Sequence, residues 1–206
     1  MSRQNDALIE QAVKTVRKAG ALLTDQSAIR NIWAKSETDF VTNVDVTVQE
    51  TLKAQLASLA PEIQFMGEEQ DNSRLDWHRP CWILDPVDGT TNLIHSFRHS
   101  AVSLALSEAG QILFGVVYNP YSGECFTARR GQGAFCNGSP IRVSGADRLE
   151  DSLLCAGTVP GRRELADKAF CQMRNLYNVC QDIRRTGCAS LDLCWVACGR
   201  DRKSTR

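Results

Sequence analysis

The apolar run Trp82-Ile83-Leu84 stops abruptly at Asp85-Pro86-Val87-Asp88-Gly89-Thr90-Thr91-Asn92, a string of carboxylates, a proline, a glycine and hydroxyls. Such a run reads as a buried strand, and the string after it as the turn by which the chain leaves the sheet. Pro86 fixes its own φ and biases Asp85 towards an extended conformation, while Gly89 permits backbone geometry that a β-carbon obstructs. At Asp-x-x-Asp spacing in a stiff turn, the side chains of Asp85 and Asp88 converge on one point, and two like charges repel there unless a cation or a proton lies between them. Carboxylate and carbonyl oxygens suit a hard divalent cation, Mg²⁺ or Mn²⁺, and Thr90 and Thr91 stand where hydroxyls orient water or phosphate. A lone Asp-x-x-Asp-Gly is also an ordinary turn sequence. Upstream, however, a second largely apolar run, Ile63 to Met66, ends in Gly67-Glu68-Glu69. Two strands that each end in acids imply one shared polar site at the carboxyl ends of neighbouring strands.

Composition narrows the classes this site can serve. A chain of 206 residues holds one large domain or two small ones and buries a sizeable core. Its 24 basic residues balance 24 acidic ones, which argues against direct nucleic-acid binding or a membrane-surface role. No stretch approaches the ~18 consecutive apolar residues of a membrane span. The start, Met1-Ser2-Arg3-Gln4-Asn5-Asp6, has no apolar signal core. The nine cysteines form no Cys-x-x-Cys pair and read as reduced, buried thiols, so a cytoplasmic protein is expected.

Leu8, Ile9, Ala12, Val13, Val16, Ala19, Leu22 and Leu23 recur at helical spacing behind a cap at Asn5 or Asp6. Val48, Leu52, Leu56 and Leu59 mark one face of a second helix, with Asp45 as its cap or first-turn acid. Lys35, between the two, reads as a solvated loop lysine. His95 and His99 read as loop histidines near the site, since no third metal ligand accompanies them. Ser100 to Leu106, Ile112 to Tyr118 and Glu124 to Thr127 read as an antiparallel meander, and Gly131-x-Gly133 and Asn137-Gly138 as hairpin signals. Ser152 to Ala156 is a further strand, Leu165 to Leu176 a helix and Ile183 to Arg185 a short strand. Gly187-Cys188-Ala189-Ser190 then opens an apolar helix, whose free N–H groups either are simply capped or face an anion.

The stretch Trp82 to Asn92, with Gly67-Glu68-Glu69 upstream, resembles the signature of the inositol monophosphatase family of Mg²⁺-dependent sugar-phosphate phosphatases. The resemblance extends through Asp39-Phe40-Val41-Thr42-Asn43-Val44-Asp45, Gly131 to Gly138 and Arg184 to Leu193. It implies an α/β fold layered α-β-α-β-α, with an amino-terminal metal-site domain over residues 1–145 and an incomplete carboxyl-terminal α/β domain over 146–206. The implied reaction is hydrolysis of inositol 1-phosphate, with esters such as fructose 1,6-bisphosphate, 3′-phosphoadenosine nucleotides or NADP as alternatives.

By the same resemblance, Glu68, Asp85, Asp88 and the carbonyl of Val87 hold Mg²⁺. Asp45 hydrogen-bonds Thr90, whose hydroxyl activates the attacking water, and Glu68 joins these two as a catalytic residue. Asp88, Gly89, Thr90, Gly187, Cys188 and Ala189 contact the substrate, and Lys35 lies in a loop approaching the metals. A homodimer and a partner in the transcription machinery are also implied, the latter as the role of a catalytically weak binding remnant. Beyond Arg200 the family continues with a Trp-Asp-x-Ala-Ala-Gly-type motif whose aspartate completes a second metal site. Here Asp201-Arg202-Lys203-Ser204-Thr205-Arg206 stand instead. A weakened second metal site, and low stability or association through an exposed apolar face, are therefore expected.

Overall fold

The computed structural model describes residues 3–28, 31–34, 40–158 and 160–200. Lys35, Asp39 and the basic stretch 201–206 lie outside the described residues. Helix α1 (Arg3–Gly20) buries Ile9, Ala12, Val16 and Ala19 on one face. It begins earlier than a cap at Asn5 or Asp6 implies: both lie inside the helix, and Asp6 occupies its first turn. There an acid meets the positive end of the helix dipole, and the Asp6 carboxylate also pairs with Arg129 at 2.5 Å. The short strands β1 (Ile32–Ala34) and β2 (Phe40–Thr42) pair antiparallel and lead into α2 (Asn43–Leu59). Val44, Val48, Leu52 and Leu56 are buried, whereas Leu59, in the last turn, is largely exposed.

Seven strands follow in chain order across one mixed sheet: β3 (Gln64–Gly67), β4 (Cys81–Asp88), β5 (Ala101–Glu108), β6 (Gln111–Asn119), β7 (Glu124–Arg129), β8 (Gly133–Cys136) and β9 (Ser139–Pro140). Only β3 and β4 run parallel; the remaining neighbours are antiparallel. Asn137 and Gly138, both at positive φ, form the two-residue connection between β8 and β9, as their hairpin signal implied. Helices α1 and α2 cover one face of this sheet, and the main core lies between them. Each fully buried leucine there, such as Leu52, Leu56 or Leu104, contributes about 1.5–3 kcal/mol.

The other face receives the last part of the chain. Strands β10 (Leu153–Cys155) and β11 (Asp182–Arg184) pair parallel around α4 (Ala166–Tyr177), and α5 (Ala189–Ala197) packs on β5 and β6. Cys188 and Leu191 join Ala101 and Phe126 in a second, smaller core. Leu193, at 71% exposure, and Val196, at 40%, stand on the outer side of α5. No disulfide joins any of the nine cysteines. Among the described residues no helix is long and apolar enough to cross a membrane.

Candidate active site

The acidic string does not lie where its sequence suggested. Strand β4 continues through Pro86 to Asp88, and the exit turn begins only at Gly89. Asp85 stands opposite Ser103 and Asp88 opposite Ala101, so two residues on β4 oppose one on β5. This is a β-bulge, at the proline that has no N–H for the ladder. Its consequence is geometric. Residues three apart in a regular strand point to opposite faces, and one extra residue returns Asp85 and Asp88 to the same face.

Because β3 runs parallel to β4 with Gly67 beside Leu84, Glu68 emerges next to Asp85. The Asp85 carboxyl is pushed up to about 8, first by burial and then by the negative charges of Glu68 and Asp88, while the Val87 N–H at 3.1 Å pulls the other way. A hydrogen bond between the Glu68 and Asp85 carboxyls adds to the rise. Gln49, fully buried on α2, accepts from the Glu69 N–H at 2.9 Å. A β-carbon on Gly67 would fall 2.3 Å from that same Gln49 oxygen, so a larger residue there would displace the Gln49 side chain.

Asp45 is a first-turn acid of α2 rather than its cap, which is Thr42, and it also meets Thr90. Its Oδ2 accepts from the Thr42 N–H at 2.8 Å and the Thr42 hydroxyl at 2.5 Å, closing a capping box at the start of α2. Its Oδ1 accepts from the Thr90 hydroxyl at 3.0 Å, and the Val87 carbonyl stands at the same 3.0 Å from that hydroxyl. Burial raises the Asp45 pKa; the bonds from Thr42 and Thr90 oppose the rise. Thr90 opens the short helix α3 (Thr90–Ile94) directly after Gly89. With φ at +90°, Gly89 leaves only 3.1 Å between its β-carbon position and the carbonyls of Gly187 and His99.

The last part of the chain closes the site from the other side. The Ser190 N–H donates to Asp88 Oδ2 at 2.6 Å, and the Cys188 thiol lies 3.3 Å from the same oxygen. Cys188 is itself buried, so its side chain faces Asp88 rather than the open cleft, while Gly187 and Ala189 are exposed. Asn92 donates to the carbonyls of His99 at 2.7 Å and Thr186 at 2.8 Å, stitching α3 to the segment before α5. His95 and His99 lie in the loop after α3. His99 packs against Trp195 with ring centroids 5.0 Å apart and planes tilted by 50°, and burial lowers its pKa against the opposing pull of Asp192 and Asp88.

Glu68, Asp85, Val87, Asp88, Gly89, Thr90, Gly187, Cys188 and Ala189 line one cleft of about 820 Å³. Asp45 reaches it through Thr90. Among the described residues, no three acid, histidine or cysteine side chains stand at metal-coordinating spacing, so the acids form a cluster rather than a closed cage. The donor chemistry nevertheless fits a hard cation: all the groups are oxygens, and the burial and neighbouring charges that push the Asp85 carboxyl up are a repulsion that a cation would neutralise. Sequence reasoning gave no role to Thr42, Gln49 or Asn92, or to Arg163 and Arg185, which also line the cleft. Asn92 stood inside the central string, but a role as a tie to a segment 94 residues away had no local signal.

The inositol monophosphatase family model matches residues 4–201, and the chain belongs to that family. It is 36% identical over 197 residues to the inositol-1-monophosphatase of Rhizobium meliloti (strain 1021), covering 94% of this chain and 74% of that protein. It is also 36% identical over 196 residues to the Nus factor SuhB of Escherichia coli (strain K12), covering 94% and 73% respectively. Among solved structures, the extragenic suppressor protein suhB from Bartonella henselae superimposes with a TM-score of 0.86 at 34% identity, over 95% of this chain and 76% of that one. An IMPase/NADP phosphatase complexed with Mg²⁺ and phosphate superimposes at 0.81 with 27% identity, over 97% and 73%. The chain is accordingly a phosphatase of a metal-dependent family.

Proposed function

We propose that this chain hydrolyses a phosphate monoester of inositol, with inositol 1-phosphate as substrate and Mg²⁺ as cofactor. The observation that carries the reading is the Thr90 hydroxyl, held between Asp45 Oδ1 and the Val87 carbonyl beside the Glu68–Asp85 pair. Glu68, Asp85, Asp88 and the Val87 carbonyl would hold the cation. A bound Mg²⁺ supplies positive charge at the phosphoryl oxygens and acidifies water. Thr90, oriented by Asp45, would take a proton from the attacking water on its oxygen as its own hydroxyl proton passes to Asp45 Oδ1. The backbone at Gly89 and Thr90 receives the phosphate, and Gly187, Cys188 and Ala189 border the polyol, Cys188 through its backbone.

The test is Thr90→Val, which keeps the shape and removes the hydroxyl. Loss of a positioned proton-transfer group lowers kcat about a hundredfold or more, read as phosphate released from inositol 1-phosphate. A kcat equal to that of the parent would overturn the role of Thr90.

A second reading is favoured by the Nus-factor name of relatives as similar as the phosphatases. We infer a partner in the transcription machinery, bound by a surface separate from the cleft. A homodimer, with Leu193 and Val196 of α5 in its interface, belongs to the same proposal.

A further inference from the structure

Helix α1 is tied to the β7–β8 hairpin at two points, and between the ties the two stand apart. At one end the Arg129 guanidinium meets the Asp6 carboxylate at 2.5 Å; at the other, Arg17 Nη2 donates to Asn137 Oδ1 at 2.9 Å. The same Asn137 oxygen accepts from the Cys125 N–H at 3.1 Å, which seats the second tie on β7. The space between is a cavity of about 510 Å³, within the ~300–1,000 Å³ range of small-molecule sites. No residue lines both this cavity and the acidic cleft.

The walls are apolar by register. Ile9 and Val13 lie one turn apart on α1. Across from them Phe114 pairs with Arg129, and Thr127, two residues along β7, pairs with Phe135, so these four side chains share the sheet face that looks at α1. Ile9, Phe114 and Cys125 are buried. From Ile9 to Arg17 the helix rises about 12 Å, the length of an extended chain of roughly ten carbons.

The mouth carries the charge. Lys14 and Arg17 both line the cavity and, three residues apart, are neighbours on the surface of α1. Arg17 is held in place, since its Cζ also lies 5.5 Å from the centre of the Tyr118 ring. Neither cation pairs with a carboxylate among the described residues, whereas Arg129 does. Glu10, the one acid among the lining residues, lies a turn before Lys14, towards the Asp6–Arg129 tie. Positive charge is therefore in surplus at the Arg17 end of an apolar trough.

We propose that this cavity binds an alkyl carboxylate of medium chain length, its chain along Ile9, Val13, Phe114 and Phe135 and its carboxylate on Lys14 and Arg17. The chain leaves water for apolar walls, and the head group gains charge-assisted N–H···O bonds. The site is separate from the acidic cleft, and its test uses no phosphate release.

The experiment is calorimetric titration of the full chain with sodium decanoate below its micelle concentration, beside decan-1-ol and decyltrimethylammonium. Decanoate should saturate a single site. Decanol should bind about tenfold more weakly for want of the charge-assisted bonds, and the cationic surfactant more weakly again. Octanoate, two methylenes shorter, should lose about tenfold. Lys14→Gln and Arg17→Gln should each bring decanoate towards the affinity of decanol while leaving decanol unmoved. Val13→Trp, which fills the cavity, should abolish binding of both. The site is overturned by a parent chain that takes up no decanoate saturably, by decanol binding as tightly as decanoate, or by a Val13→Trp chain that binds decanoate like the parent. Lys14→Gln breaks no hydrogen bond or ion pair among the described residues, so it decides the role of charge even where Arg17→Gln loosens the hairpin.

Discussion

Asp88→Asn should lower Mg²⁺-dependent phosphate release by about two to three orders of magnitude while the fold persists. Asp88 connects the two sides of the site: it closes β4, and its Oδ2 accepts from the Ser190 N–H of α5 at 2.6 Å. An asparagine carbonyl still accepts that bond, so α5 keeps its seat on the sheet. What disappears is the negative charge beside Glu68 and Asp85. The variant should therefore show unchanged helix content by circular dichroism and a cooperative melt, with kcat alone collapsing. Turnover equal to that of the parent chain would remove Asp88 from the reacting centre. A variant that loses both activity and fold would instead show Asp88 to be a structural tie.

In metal-free buffer, stability should fall as pH rises from about 4 to about 8. The sign follows from Asp85. Its folded-state pKa, raised to about 8, lies above the unfolded value near 3.9, so the folded protein binds the proton more tightly. Stability is complete below the unfolded pKa and is lost as pH passes up through the folded one. Glu68 and Asp88 face the same carboxyl and make its ionisation unfavourable. Asp45, also raised by burial, acts in the same direction. Added Mg²⁺ binds the ionised acids, so its stabilising effect should grow with pH. Thermal melts at pH 5 and pH 8, in EDTA and in Mg²⁺, read both effects, and Asp85→Asn should flatten the metal-free slope. A metal-free melting temperature that rises across this range in the parent, with Asp85→Asn following it, would contradict the burial of a protonated Asp85.

The sequence disclosed the site where chemistry and local pattern coincide, and concealed it where partners come from afar. The apolar runs before Asp85 and Glu68 were legible as strands, and parallel pairing of β3 with β4 then brought their terminal acids together. The bulge was not legible. It depends on which residues of β5 oppose Asp85 and Asp88, and nothing in Asp-Pro-Val-Asp names that register. The neighbourhood of Asp45 offered only a cap or first-turn acid, and its bond with Thr90 was implied by the family resemblance; in the structure Thr42 is the cap, and Asp45 reaches Thr42 and Thr90 through separate oxygens. Arg163 and Arg185 had no local signal that places them at the site, and they line the cleft beyond the paired ends of β10 and β11. The start of α1 was misjudged because an acid in a first turn and an acid at a cap look alike in sequence.

Phosphate release from inositol 1-phosphate by the 206-residue chain, measured as Mg²⁺ is titrated from zero into the millimolar range, is the most direct test of the proposed activity. Release that is negligible without Mg²⁺ and saturates as the cation is added is the expected result. A folded chain that stays silent at every Mg²⁺ concentration, or one that turns over equally well in EDTA, would contradict it.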